Sequence, residues 1–197
     1  MTLPRDALST LHNSIRKAAN EELLPRFNAV DTAYKADGSI VTEADHALQD
    51  RLQAELPQHF PEYGLLGEEM TGEEQLAQLR GSTSGLWVLD PLDGTSNFAT
   101  GIPYFAVSLA LIEAGRISLG IVYDPCRDEY FHAIRDTGAW LNGQPLGARG
   151  PASPLSRGIA IVDYKRLPAD LATRLAVTPP YSSPVSYTHL TLPTTPY

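Results

Sequence analysis

An apolar run that stops abruptly at two carboxylates constrains this chain more than any other feature. Leu86-Trp87-Val88-Leu89 is short, branched and preceded by Gly85, the pattern of a buried strand. Asp90-Pro91-Leu92-Asp93 follows without a break, and Gly94-Thr95-Ser96-Asn97-Phe98 comes next. Asp90 and Asp93 therefore fall at the C-terminal edge of a strand, where ligands bind in folds built of sheets and helices. Carboxylate oxygens on a rigid edge suit Mg²⁺, a hard cation that keeps water and phosphate in its shell. Gly94, Thr95 and Ser96 can open a helix whose free N–H groups face a phosphate. Taken alone, the stretch also reads as a strand that ends in ordinary Asp-Pro and Asp-Gly turns. Trp87 and Phe98 are expected in the core.

Two further segments carry acids, one in a helix cap and one after a short apolar run. Ala7, Leu8, Leu11, Ile15, Ala18, Ala19 and Leu23 recur at helical spacing and predict a first helix ending near Pro25, with His12 on its surface. Asp37-Gly38 signals a turn. Thr42 then caps a second helix with the stripe Ala44, Ala47, Leu48, Leu52 and Leu56, stopped at Pro57. Thr42 and Asp45 form a capping box, which accounts for both residues without any chemistry. Gly64-Leu65-Leu66-Gly67 runs into Glu68 and Glu69, and a short helix is expected over Thr71 to Leu79. By themselves Glu68 and Glu69 read as solvated acids that the helix dipole favours.

Beyond the central stretch the pattern is antiparallel. Phe105 to Ile112, Ile117 to Tyr123 and Glu129 to Ile134 are strand-like runs separated by short turns, a meander. Ile159 to Val162 is a further candidate strand, and a helix is expected from Pro168. Residues 178–197 carry no Asp, Glu, Lys or Arg and consist largely of Pro, Thr, Ser and Tyr, a composition without a core face.

Composition excludes some partners. The formal net charge of −8 disfavours nucleic acid and anionic membrane, both of which require a basic face. An acidic chain can still bind phosphate when metal ions carry the positive charge. The one cysteine, Cys126, rules out a disulfide framework or a cysteine-based zinc site within the chain. With no signal-like or membrane-length apolar run in the sequence, a cytoplasmic protein is expected.

Three signals stand in one order: K-x-D-G-S-x-V-T-x-A-D at Lys35 to Asp45, G-E-E at Gly67 to Glu69, and W-V-L-D-P-L-D-G-T-S-N-F at Trp87 to Phe98. This ordered set resembles the inositol monophosphatase family of Mg²⁺-dependent, lithium-sensitive phosphatases. Ile102 to Leu109 and Gly138 to Gly143 are similar to it as well. The resemblance implies an α+β fold, a layered α/β sandwich of the sugar-phosphatase type with a largely antiparallel sheet. It implies that Glu68, Asp90 and the Leu92 carbonyl hold one Mg²⁺, and that Asp90 bridges to a second ion also bound by Asp93. Gly94 and Thr95 would offer N–H groups to the substrate phosphate. Thr95 and Asp45 would activate the attacking water, with Glu68 counted among the catalytic residues and Glu69 behind it.

The activity implied is hydrolysis of a small polyol phosphate, inositol-1-phosphate first. Histidinol phosphate, fructose-1,6-bisphosphate and 3′-phosphoadenosine 5′-phosphate are alternatives within the family. A homodimer is implied too. The family's later W-D-x-A-A motif, whose Asp completes the second metal site, has no counterpart here, since Trp87 and Trp140 are the only tryptophans. The expected organisation is an N-terminal lobe at 1–177 followed by an unrelated tail at 178–197, with the C-terminal lobe incomplete and catalysis impaired or lost.

Overall fold

The computed structural model describes residues 5–35, 40–82, 84–147, 154–157, 162, 164 and 167–181. It divides into two compact units, Met1–Gly147 and Ala148–Tyr197. In the second, the described elements are a 3₁₀ turn over Leu155–Arg157 and helix α5, Ala169–Val177, the latter where a helix was expected. The expected turn at Asp37-Gly38, nearly all of the strand expected at Ile159 to Val162, and tail residues 182–197 lie outside the described residues.

The first unit is built on helices α1 (Arg5–Ala18), α2 (Glu43–His59), α3 (Gly72–Gly81) and α4 (Thr95–Ala99). Its strands are β1 (Thr32–Tyr34), β2 (Ile40–Thr42), β3 (Gly64–Gly67), β4 (Leu86–Asp93), β5 (Ala106–Glu113), β6 (Arg116–Asp124), β7 (Glu129–Ile134), β8 (Gly138–Leu141) and β9 (Gln144–Pro145). β1 and β2 form a separate antiparallel ribbon, and β3 to β9 form one sheet in chain order. Only β3 and β4 pair in parallel among the described strands; the rest of the sheet is the expected antiparallel meander. The α+β layered expectation holds.

Side-chain alternation decides which face is covered. Val107, Leu109 and Leu111 of β5 and Leu119, Ile121 and Tyr123 of β6 are buried, while their neighbours in sequence are less so. The buried set meets Leu11 and Ile15 of α1 and Leu48, Leu52 and Leu56 of α2, with Trp87 and Phe98 fully enclosed as expected. These helices form a layer on one face of the sheet.

Two local expectations need correction and one is sharpened. The first helix ends near Pro25 as expected but changes type on the way: α1 ends at Ala18, a π turn spans Ala19–Leu23, and a 3₁₀ turn carries Pro25. Pro57 does not stop α2, which runs on to His59; at the last turn its missing N–H removes a single helical hydrogen bond. His12 is half-buried rather than simply exposed. Its ring lies 4.3 Å from that of Tyr130, and its Nε2 is shut off from solvent without a hydrogen-bond partner. The polar neighbours in sequence conceal that His12 sits one residue after Leu11, on the side of α1 that meets the meander.

Candidate active site

Parallel pairing creates the site. Gly64 to Gly67 lie beside Leu86 to Leu89, and the ladder continues as the Glu68 N–H donates to the Leu89 carbonyl at 3.0 Å. The C-terminal ends of β3 and β4 thus coincide, which sets Glu68 beside Asp90. On the other edge of β4, Asp90 stands opposite Ser108 and Asp93 opposite Ala106, so three steps on β4 match two on β5. This bulge accommodates Pro91, which has no N–H to offer the ladder. It also re-aims the strand end, leaving Asp90 half-buried and Asp93 exposed. Asp90 Oδ1 accepts the Leu92 N–H at 3.1 Å, tightening the turn.

The chain then reverses at Gly94, whose φ of +96° is in the left-handed region. An added Cβ there would stand 3.0 Å from the Tyr104 carbonyl oxygen, so glycine is required by both conformation and space. α4 starts at once, and the first-turn N–H groups of Thr95 and Ser96 have no partner within the helix.

α2 supplies the opposite wall. Thr42 and Asp45 form the expected capping box, and Asp45 is buried. Asp45 Oδ2 accepts from the Thr42 N–H (2.8 Å) and hydroxyl (2.7 Å), while Oδ1 faces Thr95 Oγ1 at 3.1 Å. The Thr95 hydroxyl also stands 2.9 Å from the Leu92 carbonyl, so the two acceptors compete for one hydrogen. The cap occupies one oxygen of Asp45 and leaves the other facing Thr95.

Charge in the cluster is unbalanced. Burial first, and then the negative charges of Glu68 and Asp93, push the Asp90 carboxyl up to about 7, against the opposing effect of the Leu92 N–H. Among the described residues, Lys35 is the one cation bonded to these acids: its Nζ donates to Glu68 (2.8 Å) and to Glu69 (2.6 Å), whose side chain is only 5% exposed. Burial opposes the Lys35 charge, yet these bonds prevail and its pKa is raised. Among the described residues no three His, Cys, Asp or Glu side chains are already gathered for an ion. Glu68 is drawn to Lys35, and Asp93 points to solvent. The donors themselves fit a hard divalent cation: all are oxygens, and a cation would favour the ionised Asp90 that its surroundings now resist.

Glu68, Asp90, Leu92, Asp93, Gly94, Thr95 and Asp45 are thus brought to one sheet edge, with Glu69 just behind Glu68. Two residues of this edge escaped the sequence reading. Lys35 belonged to the quoted motif without a role. Gln49, four residues after Asp45 on α2, accepts the Glu69 N–H at 2.8 Å and is buried. Its signal was a polar residue inside the apolar stripe Ala44, Leu48, Leu52 and Leu56.

No described helix is long and apolar enough to cross a membrane. The inositol monophosphatase family model matches residues 5–173. A Pseudomonas aeruginosa protein named Nus factor SuhB is 39% identical over 133 residues, 66% of this chain and 47% of that protein. Solanum lycopersicum inositol monophosphatase 1 is 40% identical over 116 residues, 57% of this chain and 41% of that protein. The solved Thermotoga maritima IMPase matches with a TM-score of 0.66 and 31% identity, over 81% of this chain and 61% of that one. The chain spans about half the length of the relatives it matches in sequence.

Proposed function

Because the chain belongs to the inositol monophosphatase family, we propose that it carries the catalytic edge of a Mg²⁺-dependent phosphomonoesterase acting on a small polyol phosphate, inositol-1-phosphate first. The observation that carries this reading is the parallel pairing that sets Glu68 beside Asp90, where burial and the charges of Glu68 and Asp93 push the Asp90 carboxyl up to about 7. Glu68, Asp90, Asp93 and the Leu92 carbonyl would hold the ion. When bound, Mg²⁺ supplies charge neutralisation and Lewis acidity at the phosphate.

The rest falls to the chain's own groups. The N–H groups of Gly94 and Thr95 hold phosphate oxygens at the start of α4. Thr95 Oγ1 orients a water for attack and takes its proton while passing its own to Asp45 Oδ1, the acceptor 3.1 Å away. Asp45 is fit for this because its second oxygen is fixed by two bonds from Thr42. Glu69 backs the site by holding Lys35. The same reading makes the partner a small phosphorylated solute, and the protein cytoplasmic and homodimeric.

A second reading is a chain that binds the cation without turnover, favoured by Glu68 being drawn to Lys35 and by no three acids being gathered for an ion among the described residues. Phosphate release from inositol-1-phosphate by the purified chain, with and without Mg²⁺, separates the two. Mg²⁺-dependent release abolished by Asp93→Asn supports the first. Mg²⁺ binding with no release from any polyol phosphate supports the second.

A further inference from the structure

Gln49 is the one buried polar side chain of α2 outside its capping box. It follows Asp45 by four residues, so both lie on the same face of the helix. Asp45 reaches Thr95 on one wall of the cluster, and Gln49 reaches the other wall, where its Oε1 accepts the Glu69 N–H at 2.8 Å. Space for this contact comes from a glycine. A Cβ on Gly67 would sit only 2.2 Å from Gln49 Oε1 and 2.5 Å from its Cδ. Gly67 and Gln49 are therefore a matched pair, in which the missing side chain admits the amide.

The contact falls at a decisive place. The Glu68 N–H is held by the Leu89 carbonyl, next to Asp90, and the next N–H, that of Glu69, is held by Gln49. The Gly67 carbonyl before them accepts from Gln75 Nε2 at 3.3 Å. With consecutive N–H groups fixed, the Cα–Cβ direction of Glu68 is fixed too. Without Gln49 the Glu69 N–H would be a half-buried donor with no partner, and the turn could rotate to expose it to water.

We propose that Gln49 is a positioning residue that clamps the Glu68–Glu69 turn and so holds Glu68 in place for the cation. The role rests on the metal reading above, but the clamp is observable without metal. α2 then fixes both walls of the site from one helix face, Asp45 through a side chain and Gln49 through a backbone N–H.

The test uses the full 197-residue chain and its Gln49→Leu, Gln49→Glu and Gly67→Ala variants. Amide hydrogen exchange is read without metal, Mg²⁺ affinity by calorimetric titration, and folding by circular dichroism. Gln49→Leu should speed exchange at Glu69 by about tenfold or more, leave β5 and β6 protected, and weaken Mg²⁺ binding by about tenfold, the usual effect of losing an outer-shell partner. Gly67→Ala, which displaces the amide, should do the same. Gln49→Glu keeps an acceptor and should restore both protection and affinity, which a residue serving only to fill space would not do. Unchanged Glu69 exchange in folded Gln49→Leu overturns the clamp. Faster exchange with wild-type Mg²⁺ affinity overturns the positioning role. A wild-type chain that binds no Mg²⁺ while Gln49→Leu still frees Glu69 overturns the metal reading and not the clamp.

Discussion

The Thr95 hydroxyl stands 3.1 Å from Asp45 Oδ1 although fifty residues of sequence separate them. One carboxylate thereby does two jobs, capping α2 with one oxygen and accepting from Thr95 with the other. Substitutions should separate them. Asp45→Ala loses the cap and the acceptor, costing about 1 kcal/mol of stability along with activity. Asp45→Asn keeps an oxygen for Thr42 but turns an N–H toward Thr95. It should retain most of that stability while lowering kcat by about 10²–10⁴-fold. Thermal melts and phosphate-release rates on the two variants check this.

Asp90 gives the metal-free protein an unusual pH response. Its carboxyl titrates near 7 in the folded chain, well above its value in an unfolded one, so the folded state binds that proton more tightly. The resulting stabilisation is complete at low pH and is lost as pH rises through about 7. The expected loss is about 1–2 kcal/mol, discounted because the carboxyl keeps some contact with water. Denaturant melts without metal at pH 5 and 8 should show it, and Asp90→Asn should remove it. Saturating Mg²⁺ should remove it too, since the cation favours the ionised form.

His12 and His132 work in the opposite sense. Burial is the main cause lowering both pKa values. For His12, Asp128 opposes and Arg16 reinforces this; for His132, the His12 charge reinforces it. His12 faces Tyr130, Tyr123, Arg16 and Asp128, and His132 stacks on Trp140. Groups with depressed basicity contribute stability above the ordinary histidine value of 6.5, and that stability fades as pH falls below it. A melt series between pH 7 and 5 in the Asp90→Asn background should show this decline alone. A His12→Phe variant should flatten part of it.

Gly94→Ala should destabilise the chain by about 1–2 kcal/mol, because it combines a left-handed backbone with a Cβ 3.0 Å from the Tyr104 carbonyl. The shift would also disturb the N–H groups offered at the start of α4. Phosphate binding should therefore fall more than the melt alone predicts, as titration with inorganic phosphate and Mg²⁺ would record.

Much of the fold was legible because its elements are local. The meander from Ala106 to Ile134 shows itself through apolar runs and tight turns, and the caps at Thr42 and Thr71 through the residue three places on. Asp90 and Asp93 stand out because they follow an apolar run, whereas Asp45, Glu68 and Glu69 read alone as a cap and first-turn acids and join the cluster only through the family resemblance. What the residues alone did not reveal depends on approach in space. Lys35 meets Glu68 across thirty-three positions, and Gln49 meets a backbone N–H, which no side-chain pattern advertises. His12 misled because α1 turns a polar stretch toward Tyr130, and periodicity tells the side of a helix but not its neighbour.

β3 and β4 are joined through α3, so Glu68 and Asp90 become neighbours only after that crossover closes. The hairpins from β5 to β8 need no such closure and rest on contacts between consecutive segments. Loop-closure entropy therefore places the acid cluster late in folding, after the meander exists to receive β4. A divalent cation present during refolding would act on the final docking step: it would slow unfolding more than it speeds collapse, and the lifetime of the native chain would rise with cation concentration.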